Sequence, residues 1–499
     1  MAEDIVLDLP LRAADIAAIA GGAKLVLSAG ARERISRSRE LVDAIVDRGI
    51  RGYGINTGVG ALCEVIIDRE QQSRLSHNIL FSHACGVGTP LPEDQARAVM
   101  AAQINNFAHG YSGIRLEVVE TLVALLNAGV IPVIPSRGSL GYITHAAAIG
   151  LVVIGHGAAT FQSRQVSGAE ALEIAGLSPL PLGAKEGLSL VNGSPCTTGL
   201  TCVALNRAMR LLDWADAAAA FTYGVLGRQQ NTFADEPMRL RKSPGLWETA
   251  RHLREGLSGT VRNGADVRTQ DPMSIRAVPQ IHGAIRDSLA TIAETAEREL
   301  ASVTDNPLVK GSPEEPVVYS QAHALSTTLA FAMDQLAIVT TQLGIISERR
   351  TDRLVNPLVS GLPAFLSGES GVGSGFMIAQ YTAVSLCGEN RRLSAPASID
   401  GGITSALQED VLPHSTPAAE KALRVLDNLE TVIAIELLCA AQAYDLSPDV
   451  HRGDPLTGLY NRIRDTVPHY ADDRPLNIDF ARIASLVRTT EAGLFQSAV

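Results

Sequence analysis

Aromatic side chains are scarce in this 499-residue chain, at 4%, although 46% of its residues are hydrophobic. A core built from it must be aliphatic and alanine-rich, which suits closely packed helices. Cysteine is sparse as well. Cys63, Cys85, Cys196, Cys202, Cys387 and Cys439 form no C-x-x-C pair and show no zinc-ligand spacing with histidine, so no metal site is expected. Reduced, mostly buried thiols are expected instead. Basic residues are in deficit, 42 against 53 acidic ones for a net charge of −11, which argues against nucleic acid or an anionic membrane as partner. The most apolar run, residues 146–154, stops at Gly155-His156, short of the about 18 residues of a membrane span. The sequence opens without a basic region leading into an apolar stretch, so no signal peptide is read and a cytoplasmic protein is expected.

Against these absences stand 44 glycines and 24 prolines, gathered in loops between helical patterns. Residues 5–11 read as a short strand, followed by a small helix at 14–20. Residues 31–48 read as an amphipathic helix with Ile35, Leu41, Val42 and Ile45 on one stripe. Four glycines in residues 52–60 then break all periodicity and mark a structured loop. Helices are expected at 69–80, 93–107 and 112–128. A second loop spans 131–141, where two prolines and two glycines forbid a simple helix. From about residue 196 long helices dominate, at 326–347, 375–394 and 417–446. The last is expected to be capped by Thr416, with Pro417 in its first position and Ala422, Val425, Leu426, Leu429, Val432 and Ile433 along one face. No internal repeat is visible.

The loops carry polar residues that a helical bundle does not require. Tyr53 lies between glycines, open to close approach, though a phenol with an ordinary pKa of about 10 is a poor base without help. His83 lies in Phe81-Ser-His-Ala-Cys-Gly86, and Asn192 follows an apolar run. Gln270-Asp-Pro-Met-Ser-Ile-Arg276 offers a carboxamide and a guanidinium able to clamp a carboxylate through two parallel hydrogen bonds. Glu409 lies in Ser405-Ala-Leu-Gln-Glu-Asp410. Singly, each is explained as well by a turn, a cap or a surface ion pair.

Taken in order and spacing, these segments resemble the signature set of the aromatic amino acid ammonia-lyases, most of all histidine ammonia-lyase, from about residue 5 to about residue 490. The stretches 53–60, 82–88, 188–193, 270–279, 304–308 and 360–410 carry the resemblance most strongly. It implies a mainly α fold, an elongated helical bundle of the fumarase/aspartase-like type with a smaller loop-rich N-terminal part. Residues 1–195 form the loop-rich region in this reading, and residues 196–499 the long-helix region carrying Gln270, Arg276 and Glu409. It also implies a homotetramer whose active sites are shared between subunits. Carried over to this sequence, Tyr53 matches the tyrosine that removes a β-proton and Arg276 the arginine that holds the substrate carboxylate. Asn192, Gln270 and Asn306 match polar residues around cofactor and substrate. His83 and Glu409 match residues that favour an imidazole ring.

The family forms its methylidene-imidazolone group from Ala-Ser-Gly after Gly-Ser-x-Gly. Here Gly138-Ser-Leu-Gly141 is followed by Tyr142, Ile143, Thr144 and His145, and no Ala-Ser-Gly occurs elsewhere. Met273, Ala322 and Val411 also stand where the family usually carries other residues. The reading drawn from these departures is a lyase without the cofactor, resembling ergothionase. It would eliminate trimethylamine from a histidine-derived betaine, ergothioneine or hercynine, because a quaternary nitrogen leaves without activation. Tyr53 would take the β-proton, Tyr142 would face the quaternary ammonium by cation–π attraction beside an apolar wall of Ile143 and Met273, and His145 could serve as a second acid or base. Two alternatives stay open: a lyase or aminomutase acting on another amino-acid-like substrate, and a ligand-binding paralogue without catalysis.

Overall fold

The computed structural model describes residues 4–8, 10–229, 231–262 and 269–495. It is about 60% helix and 9% strand, the mainly helical architecture expected. The chain divides into two compact units. The first comprises residues 1–206, 293–334 and 396–420, and the second residues 207–292, 335–395 and 421–499. This differs from a single division at residue 195, because two later stretches, one of them carrying Glu409, belong with the N-terminal part. The cause lies in four long helices, Pro195–Leu226, Val278–Leu300, Thr327–Val355 and Ser415–Asp445, each of which contributes residues to both units.

In the first unit the opening strand is only Ile5–Leu7, paired in parallel with Leu25–Leu27, and Leu9 of the expected strand lies outside the described residues. Helix Ala29–Asp47 starts at Ser28, whose hydroxyl accepts from Ala31 N at 3.0 Å, and it buries Ile35, Leu41, Val42 and Ile45 as the periodicity requires. Helix Glu93–Ala108 is buried on all sides from Gln95 onward, which accounts for its weak amphipathicity. The loop expected at 131–141 holds two short strands, Ile131–Pro132 and Pro135–Arg137, with its prolines at strand ends where no ladder donor is needed. Helix Glu186–Val191 packs tightly on Gln72–His83. A Cβ on Gly187 would stand 2.2 Å from the Ser76 carbonyl oxygen, so only glycine permits that approach.

In the second unit helices Pro244–Gly256, Met377–Leu393, Asp454–Thr466 and Leu476–Thr489 accompany the C-terminal parts of the long helices. The expected stripe on Ser415–Asp445 is buried throughout. That helix begins at Ser415, so Thr416 is not its cap; the Thr416 hydroxyl instead donates to the Gly141 carbonyl within the first unit. Thr327–Val355 is long and apolar enough to cross a membrane by length and composition, but 67% of its most apolar window is buried inside the fold, as in a core helix. Of the six thiols, four are buried, Cys63 is half-buried and Cys85 is exposed, and none is disulfide-bonded.

Candidate active site

The glycines at 52–60 let the chain fold back on itself beside a helix. Gly54 has φ +61°, and a Cβ there would meet Leu188 Cδ2 at 2.2 Å. The loop is braced from within: Asn56 Oδ1 accepts from Gly52 N at 2.9 Å, its amide nitrogen donates to the Ile50 carbonyl at 2.9 Å, and Thr57 Oγ1 accepts from Gly54 N at 3.1 Å. Tyr53 is thereby presented with its hydroxyl oxygen accepting from Gly60 N at 2.8 Å. Segment 404–409 lies against this loop, with Ser405 Oγ accepting from Ala61 N at 3.1 Å. Ser405, Ala406 and Leu407 all have positive φ, a strained run of the kind that tends to mark functional segments. Thr404 Oγ1 donates to Glu409 Oε2 at 2.9 Å, fixing the carboxylate.

Glu409 is close enough to act electrostatically on both Tyr53 and His83. Burial pushes the Tyr53 phenol above its ordinary pKa; the Gly60 N–H opposes that shift, and the Glu409 charge adds to it. Burial pushes His83 down, against the Ile79 carbonyl and Glu409, which favour the proton. Both groups are therefore neutral at pH 7, and Tyr53 needs further help to serve as a base. The fold thus brings Tyr53, His83 and Glu409 together from positions up to 356 residues apart.

Asn192 and Asn306 also meet. The Asn192 amide nitrogen donates to Asp305 Oδ1 at 3.0 Å and to the Asn306 carbonyl. Tyr142 is 2% exposed, its hydroxyl has no hydrogen-bond partner among the described residues, and burial, with Cys196 and Asp305 nearby, holds the phenol protonated. Ile143 is half exposed, while Thr144 is buried with its hydroxyl unpaired. His145 is fully buried, with Nδ1 3.4 Å from Cys196 Sγ and Nε2 4.0 Å from Glu420 Oε1. Burial lowers its pKa to about 4, against the nearby Ser136 and Pro135 carbonyls, so it is a neutral ring and not a ready acid at pH 7.

Gln270, Met273 and Arg276 belong to the second unit. With the Gln270 amide turned so that its oxygen faces the guanidinium, that oxygen accepts from both terminal nitrogens of Arg276, at 2.5 and 3.2 Å. Met273 is 62% exposed at the start of the short helix Met273–Arg276. In the same unit Asp213, Asp216 and His252 bring ligand-type atoms within 4.8 Å of one another, but the Arg286 guanidinium bonds both carboxylates and takes the place of a cation. Sequence reasoning missed Lys185 and Asp305. Nothing in Lys185-Glu-Gly-Leu-Ser-Leu-Val191 marks the first, and the neighbouring Asn306 was the signal for the second.

The resemblance implies a methylidene-imidazolone group at residues 142–144, and these residues do not fit it. Ile143 has no hydroxyl to eliminate and Thr144 is not glycine. The Tyr142 carbonyl, which cyclisation would consume, instead accepts from His145 N at 3.0 Å as the helix Ile143–Val153 begins.

A family model for aromatic amino acid lyases matches residues 11–465. The chain is 43% identical to a histidine ammonia-lyase of Anaeromyxobacter sp. (strain K), over 95% of this chain and 96% of that protein. The crystal structure of histidine ammonia-lyase from Trypanosoma cruzi is similar at 35% identity and a TM-score of 0.90, covering 98% of this chain and 94% of that one. The structure of the ergothioneine-degrading enzyme ergothionase from Treponema denticola is similar at 27% identity and a TM-score of 0.92, covering 99% and 100%. Two expectations are overturned by histidine ammonia-lyases at 41–43% identity over most of the chain. Relatives of that name run against the expected loss of trimethylamine from a betaine. They conflict equally with the expectation of a cofactor-free enzyme, which is withdrawn although residues 142–144 depart from the family's pattern. Tyr142, buried as it is, also gives no support to a cation–π face for a quaternary ammonium. The chain belongs to the aromatic amino acid lyase family.

Proposed function

We propose that this chain acts on L-histidine, or on a close imidazole-bearing α-amino acid, as a carbon–nitrogen lyase. The observation that carries the reading is the grouping of Tyr53, His83 and Glu409 at the 52–60 loop. In the reaction the Cβ–H and Cα–N bonds break, a Cα=Cβ double bond forms, and ammonia leaves. Tyr53 takes the β-proton, and the Gly60 N–H stabilises the phenolate that must form first. Glu409 and His83 contact the imidazole and set the preference for that ring. Arg276, held by Gln270, is the cation suited to a carboxylate. The working form is a homotetramer with shared sites, a state that light scattering on the purified protein tests directly.

One observation favours a second reading. Tyr142-Ile143-Thr144 replaces the residues on which the family's chemistry depends, which favours a site that binds its amino acid without turning it over. A single experiment separates the two: incubation with L-histidine, following conjugated ultraviolet absorbance and released ammonia, beside calorimetry of binding. Equimolar ammonia and unsaturated acid support the lyase. Binding without product supports the second reading, and neither binding nor product removes both.

A further inference from the structure

Lys185 is 1% exposed, among the largest wholly buried side chains of the described residues. Its backbone is left-handed, φ 68° and ψ −22°, where the start of helix Glu186–Val191 would suit glycine better. Its ammonium donates to the Ser112 carbonyl at 2.7 Å, Ser189 Oγ at 3.0 Å and Asp305 Oδ2 at 3.2 Å. All three protons are used, so the lysine has nothing left to offer a substrate.

Asp305, also fully buried, divides its oxygens. Oδ2 faces Lys185, while Oδ1 accepts from the Asn192 amide nitrogen at 3.0 Å and from Asn306 N at 2.8 Å. The second amide proton of Asn192 goes to the Asn306 carbonyl. Asn192 Oδ1 accepts from Gly193 N at 2.9 Å and keeps a lone pair. Asn306 Oδ1 accepts from Gln321 N at 2.8 Å, and Gln321 Nε2 returns to the Asp305 carbonyl at 2.9 Å. An asparagine amide can flip and exchange donor for acceptor. Here Asp305 opposes the flip, because the turned amide would set its oxygen against Oδ1, while Lys185 holds the other oxygen of the same side chain.

We infer that the buried Lys185–Asp305 pair is a positioning device that fixes which polar edge Asn192 presents to the amino-acid ligand. This rests on the functional reading above. The plain alternative is an ion pair that only stabilises the core.

The double variant Lys185→Met/Asp305→Asn removes both charges without leaving one unpaired, and Asp305→Asn alone serves if the double variant does not fold. The Asn192 amide is expected to turn or leave its place in a crystal structure of the variant, a readout that needs no ligand; an unmoved Asn192 overturns the inference. With L-histidine as probe, kcat per folded molecule should fall about tenfold or more, with KM changed less than about threefold. Adding Asn192→Ala should then cost little further. Wild-type kinetics in the folded variant, or losses that multiply with those of Asn192→Ala, leave a structural ion pair only. Inertness of the wild-type protein toward L-histidine counts against the functional reading, and the Asn192 orientation still decides the positioning.

Discussion

Both units bury polar side chains, and a network in the second and a segment in the first are partnered differently. In the second unit the charges close on one another. Asp213 and Asp216 share Arg286; Asp216 also accepts from His252 and His282, at 2.8 and 2.7 Å. His282 reaches Arg350 at 3.5 Å, and Arg350 grips Glu436 with two bonds, at 2.6 and 2.8 Å. Thr222 and Ser347 complete the Glu436 carboxylate. Burial alone would raise the Asp216 pKa; the two histidine bonds and Arg286 overcome it and hold the carboxylate well below its usual range. In the first unit the segment from Ser139 to Thr144 does the opposite. Ser139 Oγ, Tyr142 Oη and Thr144 Oγ1 are buried without hydrogen-bond partners among the described residues. A closed network specifies a fold; an open run of polar atoms lowers stability and is retained only where something else favours it. The open run coincides with the place where the sequence departs from its family's pattern.

The sharpest break in that comparison lies in the closed network. Arg350→Met leaves the Glu436 carboxylate buried with two hydroxyls and no cation. Unfolding free energy should fall by about 3–5 kcal/mol in denaturant titration, and Arg350→Met/Glu436→Gln should recover much of it. A loss below about 1 kcal/mol in the single variant would mean that water already reaches the pair.

Tyr53 tests the other side, where function and stability should separate. Tyr53→Phe is expected to lower turnover by about 10²–10⁴-fold while shifting stability by less than about 1 kcal/mol, since the lost bond is one half-exposed contact to Gly60 N. The base must be deprotonated, and its pKa is raised, so kcat/KM should climb with pH well past neutrality. A flat profile from pH 7 to 10 would assign the base elsewhere.

Periodicity found the helices because apolar stripes such as Ile35-Leu41-Val42-Ile45 report burial directly. It could not find where long helices pass from one unit to the other, since Thr327–Val355 and Ser415–Asp445 keep one apolar pattern throughout. Family spacing picked out Tyr53, His83, Asn192 and Glu409, but not Lys185, whose role depends on a contact 120 residues away with Asp305. Nor could spacing foretell that Thr416 would bond Gly141 instead of capping its own helix.

His145 gives a pH handle on the first unit. Its pKa is about 4 in the folded chain and about 6.5 when unfolded. Between those values the unfolded chain holds a proton that the folded one does not, so stability declines as pH falls through the window and the effect saturates below it. The shift corresponds to roughly 3 kcal/mol. Asp216 acts lower, because a depressed carboxylate pKa withdraws stability only below the unfolded value of about 3.9. His109 and His282 are also lowered by burial, so His145→Gln should remove about one proton from the acid slope rather than abolish it. An unchanged slope would mean that His145 is already protonated against Glu420 in the native state.

The smallest effect sharpens the contrast most. Tyr142→Phe deletes a buried hydroxyl that bonds nothing, so stability should stay level or rise by up to about 1 kcal/mol. A loss of more than that would show a partner for the hydroxyl and place Tyr142 with the closed networks of the second unit. If stability holds while affinity for L-histidine drops, the hydroxyl is left unpaired by the protein because the ligand completes it. Denaturation and calorimetry on the same variant then separate a packing residue from a recognition residue at the position where this chain differs from its family.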